Sequence, residues 1–304
     1  MRAKTLLVVL FVVALVTLGV VEQVYYSGAV TFADPNVEAQ VRSAIGKHHG
    51  DLCHSDLERI ESLVLASAPT FDLSGIEECT ELKDLVIHIR DECDLRPLSG
   101  LTELTGLIIY DIGDGNRTGD LSWVEGLTRL ERLEFVCLGI TDVSPLSHLT
   151  SLSHLAVAGG RVDDVTPLAG LRSLEVLTLG SNRITDIGPL AELRALTSLS
   201  LDDNAIADIS PLAGLSSLCE LGLGGNQIED ISPIAGLDSL KFVRLWSNRI
   251  EDISPLVENK GLGQGDEVYI ADNPLNEASW NTYVPLLQER GVRVVTATHD
   301  YPRF

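Results

Sequence analysis

Between residues 196 and 215 the apolar positions fall at Leu196, Leu199, Leu201, Ile206, Ile209, Leu212 and Leu215. Leu199 and Leu201 alternate with Ser198 and Ser200, the period-two signature of a strand with one buried face. Asn204 stands where the chain must leave that strand, and its amide can satisfy backbone groups in the bend. Ile206 and Ile209 return to the core. Ser210-Pro211 then suits the start of a short turn, with serine at the N-cap and proline at the first helical position, where no N–H is needed. The whole pattern recurs. L-x-x-L-x-L starts at Ile60, Leu82, Leu104, Leu130, Leu152, Leu174, Leu196, Leu218 and Leu240, a step of 22 residues except for 26 between Leu104 and Leu130. The four extra residues fall in the loop-forming stretch 112–119, and a partial last unit places Val268, Ile270 and Asn273 in matching slots.

Repetition at this period predicts a solenoid, because one unit cannot bury its apolar face alone. One short strand per unit stacks into a parallel sheet. Asn182, Asn204, Asn226, Asn248 and Asn273 form one column, and Ser144-Pro145, Thr166-Pro167, Ser210-Pro211, Ser232-Pro233 and Ser254-Pro255 another. The outer side of so short a unit has room only for a 3₁₀ or short helical turn. Ahead of the repeats, Asp34-Pro35-Asn36 opens a helix with Val37, Val41, Ala44 and Ile45 on one face, and Ser55-x-x-Glu58 reads as a capping box. After them, residues 281–290 read as a short helix and 292–295 as a closing strand.

The motif L-x-x-L-x-L-x-x-N-x-I-x-D-I-S-P-L, as it stands in Leu196–Leu212, resembles the leucine-rich repeat superfamily and, within it, the 22-residue internalin-type class of bacterial surface proteins. The resemblance covers residues 60–275. It implies an α/β leucine-rich repeat solenoid with a parallel concave sheet, short 3₁₀ or helical convex turns and a helical N-terminal cap. It also implies a concave face that binds other proteins. The expected divisions are a leader at 1–33, an N-terminal cap at 34–59, repeats at 60–275 and a C-terminal cap of helix plus strand at 276–304.

Composition narrows the functional classes. The chain of 304 residues carries 44 acidic against 22 basic side chains, a formal net charge of −22. Such a field repels nucleic acid and anionic lipid, so no nucleic-acid partner is expected. Met1-Arg2-Ala3-Lys4 followed by the apolar run 5–21 reads as an export signal or signal anchor. The protein is therefore expected outside the cytoplasm, secreted or tethered, with membrane contact only through that segment.

Candidate chemistry is sparse. No G-x-S-x-G, H-E-x-x-H or phosphate loop is present, so no enzyme activity, catalytic residue or cofactor is expected. Ser153-His154, adjacent on a strand, should point to opposite sides. Asp142, Asp164, Asp186, Asp208, Asp230 and Asp252 form a carboxylate ladder that either supports the turns or attracts calcium; architecture is the expectation, since the D-x-[DN]-x-[DN]-G spacing is missing. The residues from His48 to His54 include three histidines and Cys53, but read as a cap loop rather than a zinc site. Of the five cysteines, Cys137 and Cys219 lie too many units from any other to be bridged. A bridge is confined to Cys53, Cys79 and Cys93, with Cys53–Cys79 the candidate pair, although Cys79 also fits a buried leucine column.

What remains is the concave face. Strand alternation places small or polar residues there in the middle units: Ala156, Ala158, Thr178, Gly180, Ser200, Asp202, Gly222 and Gly224. At the C-terminal end the same columns become Phe242, Arg244, Trp246 and Tyr269, a mix enriched at binding hot spots. The N-terminal end offers Val86, His88, Ile108 and Tyr110. The protein-binding candidates are therefore Phe242, Arg244, Trp246, Tyr269, Asp202, Tyr110 and His88. A different role, as a structural envelope protein holding divalent cations or other copies through its acidic face, remains the alternative. Asp202 and Asp203 are expected to vary freely between units.

Overall fold

A computed structural model describes residues 28–90, 93–112, 119–136 and 139–297. Residues 1–27 of the expected leader, Cys137 and most of the insertion loop lie outside the described residues. The chain starts with α1 (Pro35–Ile45) and α2 (His54–Leu57). Asp34 caps α1 by accepting from the Asn36 N–H at 2.8 Å, and Gly46 ends it at a φ of 70°. Val37 and Val41 are buried and Ile45 packs partly against the core, but Ala44 is exposed, because the cap covers only a narrow strip of the first repeat. The expected capping box is displaced by two residues. Cys53 precedes α2, and Asp56 reaches back to the Cys53 N–H at 2.9 Å. Hydrogen bonds from the Cys53 thiol and Lys47 hold the Asp56 carboxyl well below the usual carboxylate range.

Eleven strands then form one parallel sheet in chain order. They are β1 (Ser62–Thr70), β2 (Asp84–Ile89), β3 (Gly106–Asp111), β4 (Arg132–Val136) and β5 (His154–Ala158). β6 (Val176–Thr178), β7 (Ser198–Ser200), β8 (Glu220–Gly222), β9 (Phe242–Arg244), β10 (Glu267–Tyr269) and β11 (Arg293–Val295) follow. Each unit returns through a 3₁₀ turn on the outer side, lengthened once to α3 (Ser254–Glu258). A π-turn at Ser279–Tyr283 leads into α4 (Val284–Glu289), which with β11 covers the last unit. All seven predicted aliphatics of the unit at Leu196 are at most 1% exposed. At about 1.5–3 kcal/mol per buried side chain, this stack is the main favourable term in folding.

The asparagine column explains the strand lengths. The Asn226 amide donates to the carbonyls of Leu201, Leu223 and Gly224 at 3.0–3.1 Å, while its oxygen accepts the Ile206 N–H at 3.0 Å. Asn182, Asn204, Asn248 and Asn273 repeat this clasp on Val162, Ile184, Ile228 and Ile250. The clasp takes the backbone groups that a longer ladder would use, so β6 to β10 stop at three residues, whereas β1 to β5 run to five to nine. Gly160 stands in the asparagine column one unit before Asn182.

The residue before each asparagine must turn left-handed: Ser181, Asp203, Ser247 and Asp272 have φ of 50–57°, and Gly159 and Gly225 occupy the same column at 71° and 66°. The column varies between units, as expected of Asp203, within the limit that the left-handed backbone sets.

The aspartate ladder is architectural. Asp142, Asp164, Asp186, Asp208, Asp230 and Asp252 each accept the backbone N–H two residues on, at 2.7–2.8 Å. Asp72, Asp94 and Asp120 do the same in earlier units. The carboxylate therefore performs the capping that the sequence assigned to serine, and Ser144, Ser232 and Ser254 donate their hydroxyls to the same groups. These bonds hold Asp208 below its ordinary value, the Ser210 backbone first and its hydroxyl second, and Asp164 through the Thr166 hydroxyl first and its backbone second. A depressed carboxylate stabilises the fold above the unfolded pKa near 3.9 and loses that contribution as pH falls through the folded value. Acid unfolding is accordingly expected to set in below about pH 4. Asp208→Asn keeps the turn acceptor and should flatten the acid limb; an unchanged circular-dichroism pH profile would count against this account.

The cysteines are corrected. Cys53, Cys79 and Cys219 are free thiols, so the Cys53–Cys79 bridge is absent. Cys79 fills the leucine column at 0% exposure, and burial, with Glu78 and Glu77 nearby, pushes its thiol up to about 12. A native labelling experiment should modify Cys219 and Cys53 within minutes and leave Cys79 unmodified until unfolding. Intact-mass analysis after iodoacetamide reads the outcome.

Candidate functional site

The sheet register brings Phe242, Arg244 and Trp246 onto the concave floor. Phe242 pairs with Glu220 and Glu267, and Arg244 pairs with Gly222 and Tyr269. All three side chains are half-buried. Arg244 does not point straight into the concavity. It crosses β8, placing Nη2 2.6 Å and Nε 3.1 Å from Asp202 Oδ2, a residue two units back. Ser200 donates its hydroxyl to the same oxygen at 3.0 Å, and Gly224 N–H donates to Asp202 Oδ1 at 2.8 Å. The guanidinium carbon lies 5.5 Å from the Phe242 ring centroid, within cation–π range.

Two glycines make this possible. A Cβ on Gly222 would stand 2.4 Å from both Arg244 Nη2 and Asp202 Oδ2, and one on Gly224 would stand 2.1 Å from Trp246 Cε2. Arginine and indole thus lie flat across a floor cleared of side chains. Both lean away from the C-terminal cap.

Tyr269 is corrected: it is only 1% exposed and presents no contact surface. One strand in from the sheet end, it lies between β9 and β11, and its ring centroid is 5.1 Å from that of Phe242. Its hydroxyl donates to Glu267. Burial first, then Glu267, pushes the phenol up, while this bond and Arg293 hold Glu267 down. Tyr269 is therefore a support behind Phe242, which leans toward the cap.

At the other end, His88 and Tyr110 pair across β2 and β3, with ring centroids 5.1 Å apart and edge to face. Val64, 52% exposed, begins a row continued by Val86 and Ile108. This patch is separate from the first, with the small residues of the middle units between them. Ser153 and His154 do meet, against expectation: Ser153 Oγ lies 2.8 Å from His154 Nδ1, because Ser153 precedes the strand and is not bound by its alternation. The hydroxyl also donates to the Glu131 carbonyl at 3.0 Å. The residues 48–54 disperse: His48 and His49 face solvent, and His54 pairs with Glu78 at 2.8 Å. Among the described residues no three His, Cys, Asp or Glu side chains gather to hold a metal, and no helix is long and apolar enough to cross a membrane.

Sequence reasoning missed Asp203. Its carboxylate accepts no hydrogen bond and joins no ion pair among the described residues; burial and neighbouring Asp202 push it up. It lies against Gly225, where a Cβ would stand 2.3 Å from Oδ1. Its isolation depends on side-chain geometry that no residue pattern carries.

Comparison with known proteins places this geometry. The family model described as Leucine Rich repeats (2 copies) matches residues 172–214 and 216–258. Curated proteins gave no match. Internalin C2 of Listeria monocytogenes is 36% identical with a TM-score of 0.66, covering 70% of this chain and 94% of that one. Internalin F of the same organism is 28% identical, also at 0.66, covering 87% and 89%. The ectodomain of the Arabidopsis thaliana receptor kinase GASSHO1/SCHENGEN3, solved with CASPARIAN STRIP INTEGRITY FACTOR 2, shares the fold at 18% identity and a TM-score of 0.60, over 78% of this chain and 29% of that one. With its repeat register, its single parallel sheet and these relatives, the chain belongs to the internalin-type leucine-rich repeat family.

Proposed function

We propose that the protein is a non-enzymatic, extracytoplasmic protein-binding scaffold whose partner lies on the C-terminal half of the concave sheet. Phe242, Arg244 and Trp246 make the principal contact, Asp202 positions Arg244, and Tyr269 backs Phe242. The observation that carries this reading is the glycine floor. Gly222 and Gly224 leave room for a large cation and an indole to lie flat and half-exposed, the cation held by Asp202 and Phe242 before any partner arrives. Preorganised side chains of this kind lose little entropy on binding, which favours hot-spot energetics. The basic leader with its apolar run supports the extracytoplasmic placement. The acidic-ladder alternative is weakened, because those carboxylates already serve the turns. Affinity capture from culture and envelope extracts, comparing wild type with Trp246→Ala, tests the reading. A partner retained by wild type and lost by the variant is expected; equal recovery by both removes this site.

A further inference from the structure

We infer that Asp203 and Trp246 together receive a lysine or arginine side chain from a basic segment of the protein partner. This rests on the concave-face reading and adds the chemistry of the ligand. The first observation is Asp203 itself. The nine turn aspartates each accept a backbone N–H, and Asp202 is held by Arg244, Ser200 and Gly224. Asp203 has no such hold among the described residues; its side chain is exposed and sits beside a second carboxylate. Its left-handed backbone does not demand aspartate, since Ser181, Gly225 and Ser247 occupy the same column.

The second observation is placement. The Asp203 carboxylate lies on Gly225 and the Trp246 indole on Gly224, adjacent residues of one dipeptide. With consecutive Cα atoms about 3.8 Å apart, carboxylate and ring are within about 10 Å of each other. A guanidinium or ammonium group between them gains an ion pair and a π-face, and tryptophan is the best aromatic for that contact. The third observation is charge. Arg244 is already neutralised at 2.6 Å by Asp202, so among the described residues an acidic partner finds no uncommitted cation on this floor. The chain as a whole carries −22, which steers basic ligands inward.

Calorimetric titration of the full chain with tetralysine amide, tetraglutamate and calcium chloride tests this. Tetralysine is expected to bind, weakening with added salt. Asp203→Asn and Trp246→Ala should each bind it at least tenfold more weakly, while Trp246→Phe retains most of the affinity. Asparagine adopts the left-handed conformation readily, so Asp203→Asn should fold, with an unchanged melting temperature as the check. Asp272→Asn removes a charge from the same column three units on and should bind as wild type does. Equal binding by the Asp203 and Asp272 variants would reduce the effect to the general field and overturn the inference. So would tighter binding of tetraglutamate, or calcium binding that depends on Asp203. If tetralysine fails while Trp246-dependent capture persists, only the cationic chemistry falls; if capture does not depend on Trp246, the site itself falls.

Discussion

Asn226→Leu is expected to lower the unfolding free energy by about 3 kcal/mol, the largest stability loss of any single polar substitution in the repeats. The residue is 8% exposed, donates to three carbonyls and accepts the Ile206 N–H. The carbonyls fare better than the amide. Leu201 and Leu223 also accept from Asn204 and Asn248, so each keeps a partner. The Ile206 N–H does not, and a buried donor left unmet costs about 1–3 kcal/mol, to which the lost amide bonds add. At about 2–4 °C per kcal/mol for a domain of this size, the melting temperature should fall by roughly 6–12 °C. Asn226→Asp provides a signed control. The carboxylate keeps the acceptor for Ile206 but faces three carbonyls, so its charged form is disfavoured and its folded pKa is raised. The destabilisation should therefore grow as pH rises above the unfolded value near 3.9, and shrink on acidification. A loss below 1 kcal/mol for Asn226→Leu would show that the clasp does not hold the units together.

Gly224→Val should produce the opposite profile, with partner binding lost and stability nearly kept. A Cβ there would meet the indole at 2.1 Å, and the indole is the movable party. Asp202 and Trp246 hold the same column, and Gly224 is not among the positive-φ residues, so the backbone accepts a side chain. Trp246 must swing off the floor. Capture of the partner should drop at least tenfold, as with Trp246→Ala, while unfolding free energy changes by less than about 1 kcal/mol. Gly225→Val, at a φ of 66°, should instead destabilise. Retained binding by Gly224→Val would mean that the flat indole is not what the partner reads.

Much of the architecture was legible because it repeats. Leu196, Leu199 and Leu201 announce the strand, Asn204 the turn and Pro211 the outer return, and nine registered copies leave little freedom. Legibility fails where a residue's role depends on a neighbour 22 or more positions away. Tyr269 shares the alternation of Arg244 but is buried between β9 and β11 and against the Phe242 ring. Arg244 reads as a free cation until its reach to Asp202 is seen. Cys53 and Cys79 are separated by the cap geometry, and Ala44 falls just outside the strip that the cap covers. Asp203 is hidden twice, once by the left-handed column it belongs to and again by having no partner among the described residues.

The asparagine clasp gives the solenoid a direction. In every instance the side chain of a later unit completes the turn of the one before it: Asn204 closes Ile184, Asn226 closes Ile206, and Asn273 closes Ile250. A chain emerging from the ribosome therefore always presents one unfinished turn at its growing end, sealed only when the next 22 residues have arrived. Shortening such a molecule from its two ends is not equivalent. Loss of early units leaves every later clasp intact, whereas a cut after any middle unit strands the amide that the missing asparagine would have held.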